Sequence, residues 1–311
     1  MGGIGKTTLA KIIFNQICPR FGKDCSFLDD IREMTKTKGL VERQKKLLSD
    51  ISYSGRAHKI DNADEGIRAI RKTIRNKKVL IVLDDVDEGN QIKKLIRVKS
   101  LCPGSRILIT TRDKSVLKVR GFKYEILSYE MEGLSEENAL QLFSRHAFND
   151  NSPPTNYYTL SKGIVSIASG LPLALEAIGS LLFGLQERTI WEEMLEKLRE
   201  TPNGDVLGKL KISYDALETD QQQIFLDIAC FCVGQMKIDP HYMWKDCGFK
   251  AEYAIHVLVN RCMIKVLDNN NFWMHDQFRD LGRAIAKKER TRLCDGDDPI
   301  CELRSMEVKY G

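Results

Sequence analysis

MGGIGKTTL, residues 1–9, decides how the rest of the chain is read. Gly5-Lys6-Thr7 is the tail of the phosphate-loop pattern G-x-x-x-x-G-K-[ST], whose first glycine would fall one residue before Met1. In such a loop several backbone N–H groups converge on one anion, and the following helix adds the partial positive charge of its N-terminus. Gly3 and Gly5 let the backbone approach without a Cβ in the way, with Ile4 and Thr8 completing the cradle. Lys6 is placed to reach the β- and γ-phosphates, and Thr7 to present its hydroxyl to Mg²⁺. A glycine turn that merely caps a helix is the competing reading, so the motif needs a second half.

That half is KKVLIVLDDVD, residues 77–87. The apolar run Val79–Leu83 has the composition of a buried parallel strand. It ends in Asp84-Asp85, at the carboxyl edge where open parallel sheets bind ligands. Asp84 is the candidate Mg²⁺ ligand, directly or through water. Asp85 is the catalytic candidate, placed to polarise a water. SRILITTRD, residues 105–113, is a second such strand, and KYEIL, residues 123–127, a third. Arg112 follows the second as a charge-assisted donor to a γ-phosphate, with a surface ion pair to Asp113 as the alternative.

Around these strands the pattern alternates. Leu9, Ile12, Ile13 and Ile17 repeat at helical spacing, CSFLDDI (Cys25–Ile31) reads as a short strand, and amphipathic helices are expected near Val41–Ile51 and Glu65–Arg75. Alternating strands and helices predict an α/β P-loop NTPase domain built on a doubly wound parallel sheet over residues 1–129. After it the strand signals stop. Ser135 caps a helix with Glu136 and Glu137 in its first turn, Pro172 sits where a first-turn proline belongs, and Trp191, Met194, Leu195 and Leu198 line a further helix. These predict a helical bundle over 130–202, ending at Thr201-Pro202-Asn203-Gly204. Helices near Val206–Ala216, Gln221–Phe231, Pro240–Cys247 and Ala251–Asn260 precede CMIKVLDNNNFWMHD, two short strands joined at Asp268–Asn271. A winged-helix domain is expected over 203–290, followed by a linker over 291–311.

The 311-residue composition is that of a globular protein: 42% hydrophobic, 29% charged and a net charge of +5 spread among 43 acidic residues. That mild balance gives little support to a nucleic-acid partner. The helix AEYAIHVLVNRC, residues 251–262, points the same way, since it carries Glu252 and only Arg261 near its end where a DNA-binding ATPase needs a basic recognition helix. Nine cysteines without metal-ligand spacing read as buried reduced thiols of the cytosol. Ile164–Gly184 is long and apolar, but Gly170, Pro172 and Glu176 exclude a membrane span and predict two buried helices.

Six motifs occur in a fixed order: GGIGKTTLA, KVLIVLDDVD, GSRILITTRD, GLPLAL, FLDIACF and MHD. Together they resemble the NB-ARC nucleotide-binding module of plant intracellular immune receptors, the nucleotide-binding leucine-rich-repeat proteins. Asp87 and the stretches CSFLDDIRE and FLDIACF resemble the branch with a TIR domain upstream, of the flax rust-resistance type. The resemblance covers about residues 1–290. It implies an ADP/ATP switch with at most slow hydrolysis, cytoplasmic with the nucleus also open to it. Pro172 would pack against adenine, His275 of MHD would bond the β-phosphate of ADP, and Asp276 would fix the local geometry. It implies oligomerisation of the full receptor and effector recognition by repeats outside this chain, with neither nucleic acid nor membrane as partner. It also places a central strand just before the glycine loop. The expectation is therefore a sheet lacking its first strand and weaker ADP binding than a version extended upstream. A non-binding fragment or decoy that pairs with a complete receptor is the alternative.

Overall fold

A computed structural model describes residues 2–37, 39–51, 60–96, 101–118, 126–200 and 206–290. The chain divides into two compact units, one of Gly5–Met131 and the other of Gly2–Ile4 together with Glu132–Gly311.

In the first unit α1 (Lys6–Ile17) leads to β1 (Cys25–Leu28), three helices α2 (Ile31–Thr37), α3 (Leu40–Ile51) and α4 (Ala63–Ile74), then β2 (Leu80–Val86), α5 (Gly89–Ile96) and β3 (Arg106–Thr111). The strands are parallel in the order β1-β2-β3, with Leu28 beside Leu83 and Leu83 beside Ile109. β2 is buried on both faces, which is why its sequence is a continuous apolar run. Leu47, Leu48 and Ile51 of α3 and Ile70 and Ile74 of α4 pack with Ile81 and Leu83 in one core. α4 forms where expected because its ends are chemically marked. Asn62 accepts the Glu65 N–H at 3.0 Å, and acids in the first turn and bases in the last complement the helix dipole.

Two sequence readings change here. The strand expected at Cys25–Ile31 stops at Leu28, and Ile31 opens α2 after Asp30 turns the backbone to φ 45°. Of the strand expected at Lys123–Leu127, Lys123–Glu125 lie outside the described residues. Ile126 and Leu127 belong to no strand, and with Leu127 87% exposed they have no buried face to offer a sheet.

The second unit is helical up to a terminal hairpin. α6 (Glu136–Phe148) starts at Ser135, whose hydroxyl accepts the Asn138 N–H at 3.3 Å. α7 (Tyr158–Ala168) and α8 (Pro172–Leu182) are the two helices read from the apolar stretch, separated by Ser169 and Gly170 at φ 56° and 65°. α9 (Arg188–Glu200) brings Trp191 against Phe143, Phe148 and Tyr157. There follow α10 (Val206–Asp215), α11 (Thr219–Asp227) with a π turn at Ile228–Cys232, α12 (Ile238–Asp246) and α13 (Ala251–Asn260). The antiparallel hairpin β4 (Ile264–Val266) and β5 (Phe272–Met274) and α14 (Asp276–Arg290) complete a winged-helix arrangement around Phe225, Trp244, Phe272 and Phe278. The boundary read at Thr201–Gly204 and the linker at 291–311 lie outside the described residues. Among those described, no helix is long and apolar enough to cross a membrane.

The cysteine reading needs correction. The seven described cysteines are free thiols, but only Cys232 is buried; the others are half-exposed, because most sit at helix ends and turns rather than on core faces.

FLDIACF has a structural role in the winged-helix core. The Trp244 indole N–H donates to Asp227 at 2.8 Å, both residues being buried. Asp227→Ala leaves that donor without its acceptor, so urea unfolding should show a loss of about 1–3 kcal/mol. Asp227→Asn, which keeps an acceptor oxygen, should lose less.

Candidate functional site

The glycine loop adopts conformations that its composition permits. Gly3 lies at φ 70° and Gly5, the residue before α1, at φ 92°. A side chain at Gly5 would meet nothing closer than the Met131 methyl at 4.0 Å, so the left-handed backbone, not space, demands glycine there. No side chain caps α1 and no acid occupies its first turn. The positive end of its dipole is thus not offset by an acid in that turn.

Asp84 is the centre of the first unit's polar cluster. It is 3% exposed, and the Thr7 hydroxyl stands 3.0 Å from both of its carboxylate oxygens. The Thr110 hydroxyl donates to Oδ1 at 2.6 Å. Burial pushes the Asp84 carboxyl above the ordinary value; the hydrogen bonds from Thr110 and Thr7 oppose this and the neighbouring Asp85 adds to it. A bulge explains how adjacent aspartates diverge. β2 pairs with β3 at Leu83–Ile109 and again at Val86–Thr111, so Asp84 and Asp85 together face Thr110. Asp85 sits at φ 52°, and its N–H donates to the Thr110 hydroxyl at 2.9 Å.

The bulge turns Asp85 toward two arginines. Arg112 Nε donates to Oδ1 at 3.1 Å and Arg32 Nε to Oδ2 at 3.0 Å. Arg112 therefore pairs with Asp85 across the strand ends, where the sequence offered Asp113. The Asp113 carboxylate instead accepts from Ser115 at 2.7 Å. Burial, then the Arg112 charge, push the Lys6 ammonium below its ordinary value, against the pull of Asp85 and Asp84. Lys6, Thr7, Asp84, Asp85 and Arg112 thus form one connected set in the first unit.

The remaining sequence candidates lie in the second unit. Pro172 is the first residue of α8, and the next residue, Leu173, sends its N–H to the Gly3 carbonyl at 3.4 Å. His275 ends the hairpin, and its Nδ1 accepts the Gln277 N–H at 3.2 Å beside the Asp276 carboxylate. Asp276, the first residue of α14, lies beside the ring. A Cβ at Gly2 would collide with the side chain of Gln277. Gly2–Ile4 is in this way packed between the residue after Pro172 and the residue two beyond His275. Ile4 is buried at 6% exposure, whereas Thr8 is exposed and belongs to the α1 surface.

The NB-ARC sequence profile matches residues 1–153. Residues 1–153 are an NB-ARC domain. A winged-helix domain described as that of Roq1-like disease resistance proteins matches residues 218–290. Disease resistance protein RUN1 of Vitis rotundifolia is 40% identical over 292 residues, covering 93% of this chain and 21% of RUN1. TMV resistance protein N of Nicotiana glutinosa is 36% identical over 305 residues, covering 94% of this chain and 26% of that protein. The chain thus spans about a quarter or less of the length of these relatives. Among solved structures, a signal transduction ATPase with numerous domains and a tetratricopeptide repeat sensor, from Pyrococcus horikoshii, aligns with a TM-score of 0.50 at 16% identity. That alignment covers 92% of this chain and 39% of the other, and it supports the fold.

Sequence reasoning missed Thr110, Arg32, Leu173 and Gln277. Thr110, Arg32 and Leu173 lie inside GSRILITTRD, CSFLDDIRE and GLPLAL. A hydroxyl next to Asp84 on the neighbouring strand was the available signal for Thr110. Arg32 carried none, since its reach to Asp85 depends on how α2 packs.

In the nucleotide-free NB-ARC domain the partly buried Lys6 charge has a cost. Its folded-state proton affinity is lowered, so the protonated lysine opposes folding at neutral pH, an effect that disappears only as pH rises past its ordinary value of 10.5. Lys6→Met should therefore melt at the same or a higher temperature than the parent without nucleotide, and show no rise when ADP is added. Differential scanning fluorimetry checks both halves. A melting point several degrees below the parent, or a preserved ADP response, contradicts the assignment.

Proposed function

We propose that this chain is the ADP/ATP-responsive switch of an intracellular plant immune receptor, acting in defence signalling, cytoplasmic with entry to the nucleus open. The NB-ARC match and the resistance-protein relatives support the class. The single observation that carries the mechanism is the packing of Gly2–Ile4 against Leu173 and beside Gln277. A phosphate on the glycine loop then lies on backbone already supported by the GLPL and MHD segments.

In this reading the N–H groups of Gly3, Ile4 and Gly5 and the first turn at Lys6, Thr7 and Thr8 cradle the β-phosphate. Lys6 supplies positive charge, and its burial beside Arg112 is relieved by the incoming anion. Pro172 packs against adenine. His275, with its ring fixed from the Nδ1 side, contacts the β-phosphate of ADP from the winged-helix domain. ATP adds a γ-phosphate that Arg112 meets, releasing its hold on Asp85.

Thr7 and Asp84 fit Mg²⁺. Both offer hard oxygen donors, and their 3.0 Å spacing equals the edge between adjacent ligands of an octahedron with bonds of about 2.0–2.1 Å. When bound, the ion would neutralise β- and γ-phosphate charge. Thr110 would keep Asp84 oriented toward it. Asp85 is the residue that would polarise a water. When Arg112 turns to the γ-phosphate, Arg32 still holds one Asp85 oxygen and restrains it in that role, which accords with hydrolysis that is slow at most.

A switch needs differential binding. Moving from one to ninety-nine percent open takes about 5.5 kcal/mol. One charge-assisted hydrogen bond supplies about 1.5–3 kcal/mol. Exchanging a His275 bond for an Arg112 bond covers part of the difference, and effector recognition by receptor segments outside this chain, together with oligomerisation, supplies the rest.

The test is titration calorimetry with ADP and ATP on the chain and on His275→Ala. ADP affinity should fall about 10-fold or more, one lost charged hydrogen bond, and ATP affinity should fall less. Equal losses for both nucleotides, or none, would remove His275 from nucleotide discrimination. Arg112→Ala should give the opposite order, weakening ATP more than ADP.

A further inference from the structure

Away from the nucleotide residues, three chemically active side chains from separate elements of the second unit meet. His146 lies on α6, Ser180 on α8, and Cys262 in the turn between α13 and β4. His146 Nδ1 is 3.1 Å from Ser180 Oγ, Ser180 Oγ is 3.2 Å from Cys262 Sγ, and that sulfur is 3.7 Å from Nδ1. All three residues are partly exposed. Two backbone features bring them together. At Gly179 a Cβ would stand 2.8 Å from the His146 Cβ and 3.0 Å from the Phe143 carbonyl, so glycine lets α6 and α8 approach until the imidazole reaches Ser180. Cys262 takes the left-handed position after α13, at φ 56°, where glycine or asparagine is the usual occupant. The turn itself needs no thiol.

We propose that Cys262 is a modification site for peroxide-class oxidants, with Ser180 and His146 as its proton relay. With the ring proton on Nε2, His146 Nδ1 is an acceptor. The Ser180 hydroxyl then donates to Nδ1 and accepts from the Cys262 thiol, satisfying all three groups. As sulfur attacks one oxygen of hydrogen peroxide, the S–O bond forms and the O–O bond breaks. The thiol proton passes through Ser180 to His146, which returns it to the departing hydroxide as water. Sulfur is oxidised by two electrons to the sulfenic acid and the peroxide is reduced by the same two. Sulfur is the nucleophile rather than the serine oxygen because it is the softer and more polarisable atom. Cys232 shows the contrasting environment: burial pushes its thiol up to about 12, with Asp227 and Cys230 adding to the rise.

The experiment exposes the full chain to hydrogen peroxide with dimedone present, and quantifies the adduct at each cysteine by peptide mass spectrometry. Cys262 should be trapped about 100-fold faster than the half-exposed Cys102 and Cys247, the low end of a general-base contribution. His146→Ala should remove that excess while leaving Cys247 unchanged, and imidazole in solution should restore part of it. A purely structural histidine would show no such rescue. Trapping at Cys262 no faster than at Cys247, or an excess that survives His146→Ala, overturns the proposal. Should His146→Ala fail to fold, Ser180→Ala replaces it. Loss of the excess again supports the relay, and an unchanged rate refutes it.

Discussion

The buried carboxylate of Asp84 is the constraint on which the nucleotide-binding half depends. It lies near the end of β2, accepts from Thr110 on β3 and touches Thr7 on α1, so one side chain ties the glycine-loop helix to two strands. A carboxylate that far from water is costly unless its lone pairs are satisfied. Two threonine hydroxyls satisfy them without adding positive charge. That choice is also why burial still raises the carboxyl's proton affinity. The bulge opposite Thr110 then sends Asp85 the other way, into the guanidinium pair of Arg32 and Arg112. Two consecutive aspartates thus take opposite electrostatic settings from one local irregularity in the sheet.

Much of this was legible in the sequence because the signals are local. The apolar run of β2, the caps at Asn62 and Ser135, Pro172 at the start of α8 and the turn cluster before Phe272 each act within a few residues. What escaped depends on tertiary approach. CSFLDDI looked like a longer strand because Ile31 is apolar, yet Ile31 is buried as the first residue of α2 after a left-handed aspartate. Ile126 and Leu127 carry the apolar character of a strand but bury no face. Thr110 and Arg32 acquire their partners only through the bulge and the packing of α2, neither of which leaves a mark in spacing. The meeting of His146, Ser180 and Cys262 has no sequence signature at all, since it joins three elements through a glycine contact.

The glycine loop is divided in a way that bears on mechanism. Gly2–Ile4 groups with the helical, C-terminal unit, while Gly5 opens α1 of the other. The backbone on the two sides of the Ile4–Gly5 bond thus belongs to two separate cores. A loop held wholly by the parallel sheet would bind phosphate identically whatever the winged-helix half did, and nucleotide identity would have no lever on it. Here the carbonyl of Gly3 accepts from Leu173, and a Cβ at Gly2 would meet the flexible end of the Gln277 side chain. In the proposed switch, phosphate occupancy of the loop and the positions of α8 and α14 would be linked through those contacts, each biasing the other. A single weak hydrogen bond and a close contact carry little energy each. The coupling is strong only if they act together with the ligand, so that neither the loop nor the helices reach their preferred geometry alone.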